Sequence, residues 1–323
     1  MAEFPGGRQP AVAAVAGAAC ISSSAVVMQL AGSSASMTAL ARCAFALPVL
    51  AALGWLERRH GAGSMTTRSR WLARIAGVFL AGDLILWSHS IADIGAGLGT
   101  VVTNLQVVLV ALLAWGVLGE RPRGSLLVAL PVMVGGLTLV GGLAGTGGYG
   151  SHPAMGVVLG LGVAALYAVY ILMLRQATAG RATGRVAGRV AGRVANGVPR
   201  APVVAPLLEA TIGATVGSAA IGLALRDFRL GPAWPALGWL VLLALTSQVV
   251  GWLLITMSMP RLPAWLVSSL LLVQPAGSLL LSAVFLNERP SAPQLAGVAV
   301  VLAGVLIAAS KPSRRRSVRE PLP

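Results

Sequence analysis

Apolar runs of about 20 residues recur along this 323-residue chain, and the short breaks between them hold nearly all of its charge. A run of that length crosses a hydrocarbon core of about 30 Å as a helix. Lipid offers bare backbone no hydrogen-bond partner, so helices, which satisfy their own amides, fit and open sheets do not. We place helices at about 11–31, 36–56, 72–92, 96–118, 124–143, 154–174, 204–225, 235–258, 263–286 and 292–310. The firmest breaks are Glu57-Arg58-Arg59-His60, Gly119-Glu120-Arg121-Pro122-Arg123, the Gly-rich 144–151 and Asn287-Glu288-Arg289-Pro290. The break at 92–96 leans on an internal repeat. Composition agrees, with 10% charged residues against about 25% in soluble domains. The expected fold is an all-α membrane bundle of about ten transmembrane helices.

The net charge of +15 does not point to nucleic acid, because no folded basic domain is left over to bind it. With both termini inside, twenty of the 24 basic residues fall in cytoplasmic segments. Arg226, Arg229 and Arg289 lie outside, and Arg42 lies within the second run. That asymmetry is the positive-inside pattern of a multi-pass inner-membrane (plasma-membrane) protein with cytoplasmic termini. Arg8 and the first run also fit a signal peptide, but the repeat needs that run as a retained helix. The longest polar stretch, 176–202, carries Gly184-Arg185-Val186-Ala187 and two near copies. It reads as a basic cytoplasmic loop, or as a segment lying on anionic headgroups. The tail, 311–323, is basic too.

Glu120-Arg121-Pro122 recurs as Glu288-Arg289-Pro290, an offset of 168. The same offset pairs Ser90 with Ser258 and Gln106 with Gln274, and it sets Asp93, outside, against Arg261, inside. A weaker offset of 145 pairs Gly17 with Gly162 and Met28 with Met173. Two five-helix halves result, 11–143 and 154–310, and an odd number of helices turns the second upside down. Inverted repeats of this kind mark transporters that alternate access around a central site.

With these features the chain resembles the drug/metabolite transporter superfamily, EamA type. The Glu-Arg-Pro motifs at Glu120 and Glu288 carry the resemblance, together with Arg42 in Ala41-Arg42-Cys43-Ala44-Phe45. It covers about residues 11–310. It implies secondary transport, usually export, of amino acids, metabolites or drugs through a cavity lined by the first, third, fourth, sixth, eighth and ninth helices. The long Arg/Gly/Ala insert between the sixth and seventh helices departs from a plain member.

An ionisable group at mid-membrane costs about 2.5–3.5 kcal/mol on insertion scales, which makes it a functional candidate. Asp83 is central in the third run, and Trp87 and Ser90 share its helical face. Asp83 can carry a proton or pair with a cationic substrate; the plain alternative is a structural carboxylate. Arg42 is the one basic residue well inside a run; it can act, pair or snorkel. Glu209 lies nearer an interface. Asn104, Gln248 and Gln274 can line a pathway or tie helices together. Asn104 lacks the repeat partner that Gln106 has, which favours substrate contact. Trp87, Trp252, Tyr167 and Tyr170 can wall an organic ligand or simply pack. Gly156 with Gly160, and Gly213 with Gly217, read as close helix contacts.

Cys20, Cys43 and the histidines show no metal spacing. There is no phosphate loop and no nucleophile elbow. No catalytic residue, metal or cofactor is expected. The expected partners are the lipid bilayer and a small-molecule substrate, with a homo-oligomer left open. Phosphate-bearing substrates want several cations, and the single lysine, Lys311, is in the tail. The expected function is secondary transport of small metabolites or drugs, as an exporter driven by protons or by the substrate's own gradient. The alternatives are a non-transporting scaffold or receptor, and a membrane-embedded enzyme acting on a lipid-linked substrate.

Overall fold

The computed structural model describes residues 8–120, 124–142, 148–179, 202–228, 234–258 and 272–309. Its helices are α1 (Arg8–Ser22), α2 (Ser24–Ala31), α3 (Ala35–Arg59), α4 (Thr67–Ile94), α5 (Ala96–Val102), α6 (Gln106–Leu118) and α7 (Gly124–Val140). They continue with α8 (Pro153–Ala179), α9 (Val204–Leu225), α10 (Ala236–Leu243), α11 (Trp252–Ser258), α12 (Val273–Phe285) and α13 (Ala292–Ala309). Among the described residues, seven helical stretches are long and apolar enough to cross a membrane. Shorter apolar helices span Gly124–Val140, Val273–Phe285 and Ala292–Ala308. Arg121, Pro122, Arg123, Arg261, most of the basic loop and the tail lie outside the described residues.

The fold is that of a multi-pass membrane protein. Large apolar side chains stand on its outside, among them Leu127, Val216, Leu223 and Leu280, where lipid receives them. Its interior holds Ser24, Thr211, Ser247 and Gln248 as well as apolar groups.

Three runs that read as single helices are broken inside. In the first, Ser22, Ser23 and Ser24 each turn a hydroxyl back onto a carbonyl, at 2.6–2.8 Å. Such bonds compete with the helical ladder, and α1 gives way to α2 at Ser23. In the fourth, Thr103 Oγ1 and Asn104 Nδ2 both donate to the Thr100 carbonyl, at 2.8 and 2.9 Å. The chain there tightens into a 3₁₀ turn, Thr103–Leu105. In the eighth, a widened π stretch, Ala244–Gly251, joins α10 to α11.

α4 forms the spine, packed along α8 and α9; α9 also packs on α3, α12 on α5 and α13 on α7. The α4–α9 crossing needs glycine. A Cβ at Gly213 would meet the Arg74 carbonyl oxygen, and one at Gly77 the Ala210 carbonyl oxygen. At Gly217 it would sit 3.0 Å from Ala81 Cβ. Gly156 and Gly160 make the same close approach, to Ile94 and Val102.

Acidic residues close helix ends across the bundle. Glu57, late in α3, accepts from the amides of Val203 and Val204 at the start of α9, at 2.6 and 3.1 Å. Asp227, just past α9, accepts from the Ser36 amide at the start of α3, at 3.0 Å. Glu288, past α12, accepts from the amides of Ala96 and Gly97, at 2.6 and 3.1 Å. Each carboxylate meets the unpaired donors and positive dipole end of a helix.

Candidate functional site

Arg42 points the chemistry. It sits within α3 and is 5% exposed, where an unpaired guanidinium is costly. The π stretch meets that demand. Nε donates to Gln248 Oε1 at 3.1 Å, and Nη2 donates to Ser247 Oγ at 2.9 Å. Ser247 is hydrogen-bonded with Ser24 (2.7 Å), and Gln248 Nε2 donates to Thr211 Oγ1 (3.4 Å). Arg42 is thus held by the π stretch, which α2 and α9 brace in turn, while Nη1 has no hydrogen-bond partner. π turns recur at functional sites because they re-aim side chains within a helix.

Asp83 and Trp87, one turn apart on α4, face this arginine's surroundings. The guanidinium carbon lies 6.0 Å from the centroid of the Trp87 ring. Asp83 is buried and attracts Arg42 electrostatically, but the two form no ion pair. The ion pairs among the described residues are Arg70 and Arg74 with Glu209 and Arg175 with Glu120, and His152 Nδ1 lies 3.6 Å from Asp93 Oδ1. Asp83 Oδ1 has no hydrogen-bond partner.

An aromatic wall completes the cluster. Tyr167 and Tyr170, one turn apart on α8, have ring centroids 5.5 Å apart. Trp252, at the start of α11, lies 6.5 Å from each and edge-on to Tyr170. Tyr170 is fully buried, and its hydroxyl has no hydrogen-bond partner. The wall packs into the apolar core that holds Cys43, Leu84 and Trp87.

Seven of the residues singled out from sequence thus come together: Arg42, Asp83, Trp87, Tyr167, Tyr170, Gln248 and Trp252. Asn104 spends its amide on its own helix, and Gln274 stands half-buried on α12 outside this hydrogen-bonded group. Glu209 accepts from Arg74 at 2.7 Å, a structural pairing. Glu288 caps α5, whereas Glu120 holds Arg175 in a two-pronged pair at 3.0 and 2.8 Å. Ser24, Thr211 and Ser247 escaped the sequence reading. The polar triplet Thr246-Ser247-Gln248 inside an apolar run was the signal for the last.

A charged, aromatic-walled cluster between the helices of a multi-pass bundle is architecture of the membrane-transporter type. The chain belongs to the EamA-like transporter family, whose model matches residues 9–142 and 197–310. This places it in the drug/metabolite transporter superfamily. A solved crystal structure, 18% identical, superposes with a TM-score of 0.61 over 93% of this chain and 97% of its own. At that identity the likeness speaks for the fold alone. No curated protein matches the chain.

Proposed function

We propose that this protein is a secondary transporter that exports small metabolites or drugs across the plasma membrane, by alternating access between two inverted five-helix halves. The observation that carries the reading is where Arg42 is anchored. It comes from the first half, and the second half holds it through Ser247 and Gln248. A site at the junction of the repeats is where alternating access requires it. The helix caps support inversion. Glu57 closes the start of α9 and Asp227 closes the start of α3, the reciprocal exchange that a two-fold axis in the membrane plane produces. The family match favours transport over the scaffold and lipid-linked-substrate enzyme readings.

Asp83 is the coupling group in this proposal, alternately holding a proton and releasing it. The test is uptake by proteoliposomes from a screen of amino acids, amines and drugs, with and without a pH gradient. Asp83→Asn abolishes pH-driven transport per folded molecule, while substrate exchange, which need not move the proton, survives. A fully active, pH-responsive Asn variant rules the coupling role out.

A further inference from the structure

α3 and α4 run to a common edge of the bundle, joined there by residues 60–66. Each exposes one helical stripe, and the two stripes read alike. From its last residue inward α3 exposes Arg59, Leu56, Trp55 and Ala52; from its first turn inward α4 exposes Arg68, Trp71 and Ile75. Spacings of three, four and seven keep each set on one face. At 1.5 Å per residue the tryptophans lie about 4–6 Å inside their arginines, and Ala52 and Ile75 about 10 Å inside. Charge, then indole, then aliphatic group is the order in which a membrane leaflet presents headgroup, interface and acyl chain. Both indoles are more than half exposed, at 52% and 58%, so each is open to a partner.

The charge at this edge is unbalanced. Arginines at 58, 59, 68, 70 and 74 gather here. Glu57 is spent on the Val203 and Val204 amides, and Glu209 takes Arg70 and Arg74. Arg58, Arg59 and Arg68 have no carboxylate partner among the described residues, whereas Arg175, at the end of α8, meets Glu120. Three arginines lie over indole rings among the described residues. One is Arg42 in the core, and the other two are at this edge: Arg59 on Trp55, 3.6 Å from the ring centroid, and Arg74 on Trp71, at 5.3 Å. Stacking holds the Arg59 guanidinium beside the indole before any partner arrives, so less rotamer freedom is lost on binding.

We propose that this edge is a binding site for one anionic phospholipid. The phosphodiester lies on Arg59 and Arg68, the indoles of Trp55 and Trp71 flank the glycerol region, and an acyl chain runs down the stripes past Ala52 and Ile75. A soluble phosphate or an acidic peptide would leave the apolar part of the stripes uncovered. A lipid with no net charge would leave the arginines unbalanced. The arginine asymmetry of the sequence puts this edge on the cytoplasmic side, where the leaflet is the anionic one. The site goes beyond the transport reading and stands without it.

The test titrates lipid-stripped, full-length protein in neutral detergent with phosphatidylglycerol, and with phosphatidylcholine of the same chains, and counts bound lipid by native mass spectrometry. One phosphatidylglycerol binds about ten-fold or more tighter than phosphatidylcholine. The Arg59→Gln/Arg68→Gln pair weakens it about 25-fold, from about five-fold per basic residue at an anionic surface, and leaves phosphatidylcholine unchanged. Arg314→Gln/Arg315→Gln in the tail removes the same charge and leaves phosphatidylglycerol binding at the wild-type level. Glycerol phosphate does not displace the lipid. Phosphatidylglycerol with brominated chains quenches tryptophan fluorescence more than its phosphatidylcholine counterpart, and the excess disappears in Trp55→Phe/Trp71→Phe. That measurement keeps the proposal testable should the arginine pair misfold.

Equal binding of the two lipids overturns the proposal. So does a tail pair that loses as much affinity as the edge pair, because basic charge anywhere would then suffice. Displacement by glycerol phosphate, or an excess of quenching that survives the loss of both indoles, overturns it too.

Discussion

The two Glu-Arg-Pro copies should respond very differently to the same substitution. Glu288 is 4% exposed and accepts from two amides of α5, at 2.6 and 3.1 Å. Glu288→Ala strands both donors in the interior, at about 1–3 kcal/mol each and hence about 2–6 kcal/mol together. Glu288→Gln keeps one oxygen but loses the charge, and it costs about 1.5–3 kcal/mol, the worth of a hydrogen bond to a charged group. Gly95→Ala reaches the same carboxylate by another route. Its φ is +94°, and the new Cβ would sit 3.0 Å from Glu288 Cδ. Glu120 is different, because both it and Arg175 are about half exposed. Surface pairs of that kind contribute about 0–1 kcal/mol, so Glu120→Ala should be nearly silent in stability. Heat and denaturant unfolding of the purified protein in one detergent compares the four variants. Equal losses for Glu288→Ala and Glu120→Ala, or a loss under about 1 kcal/mol for Glu288→Ala, would refute the capping argument.

Three further outcomes follow from the packing and the charges. Gly213→Ala places a methyl on the Arg74 carbonyl and should cost about 1–3 kcal/mol of overpacking; Gly135→Ala, with nothing within 4 Å, should be neutral or gain about 0.5–1 kcal/mol, and identical unfolding curves for the two would contradict the crossing geometry. Glu209→Gln removes the partner of Arg74 and Arg70 and should cost about 1–3 kcal/mol while transport per folded molecule stays at wild type; lost transport at normal stability would move Glu209 into the site. A cysteine at Ser291 should label from outside and one at Ser125 only from inside, and labelling of both from one side would sink the inverted repeat.

Most of the helices were legible because an apolar run of about 20 residues with few charges has one stable form in lipid. Their interruptions were not, since hydropathy averages over the hydroxyls of Ser22, Ser23 and Ser24 and over the Thr103 and Asn104 side chains that draw on one carbonyl. Asp83 and Arg42 announced themselves by the cost of a buried charge. Ser247 did not, because serine is cheap in a membrane helix and no sequence spacing ties residue 247 to residue 42. Asn104 looked free for a substrate, but its nearest acceptor is its own Thr100 carbonyl. The two Glu-Arg-Pro copies looked equivalent because a motif fixes a helix end, whereas its neighbours decide whether the acid meets backbone amides or an arginine.

The direction in which the caps run along the chain has a consequence for biosynthesis. The Val203 and Val204 amides emerge from the ribosome with Glu57 already made. The Ser36 and Ala96 amides wait for acids 191 and 192 residues downstream. At about 5–20 residues per second that wait is roughly 10–40 s. Throughout it, the Ser36 amide of α3 and the Ala96 and Gly97 amides of α5 lack the acids that accept from them, although Ser34 already caps the Met37 amide of α3. The first-made half is therefore the fragile one in the nascent protein. A chain stopped anywhere before Asp227 leaves the Ser36, Ala96 and Gly97 amides without their acids, and one stopped between Asp227 and Glu288 supplies only the first. Quality control that senses unsatisfied helix ends would read the extent of synthesis directly from the N-terminal half.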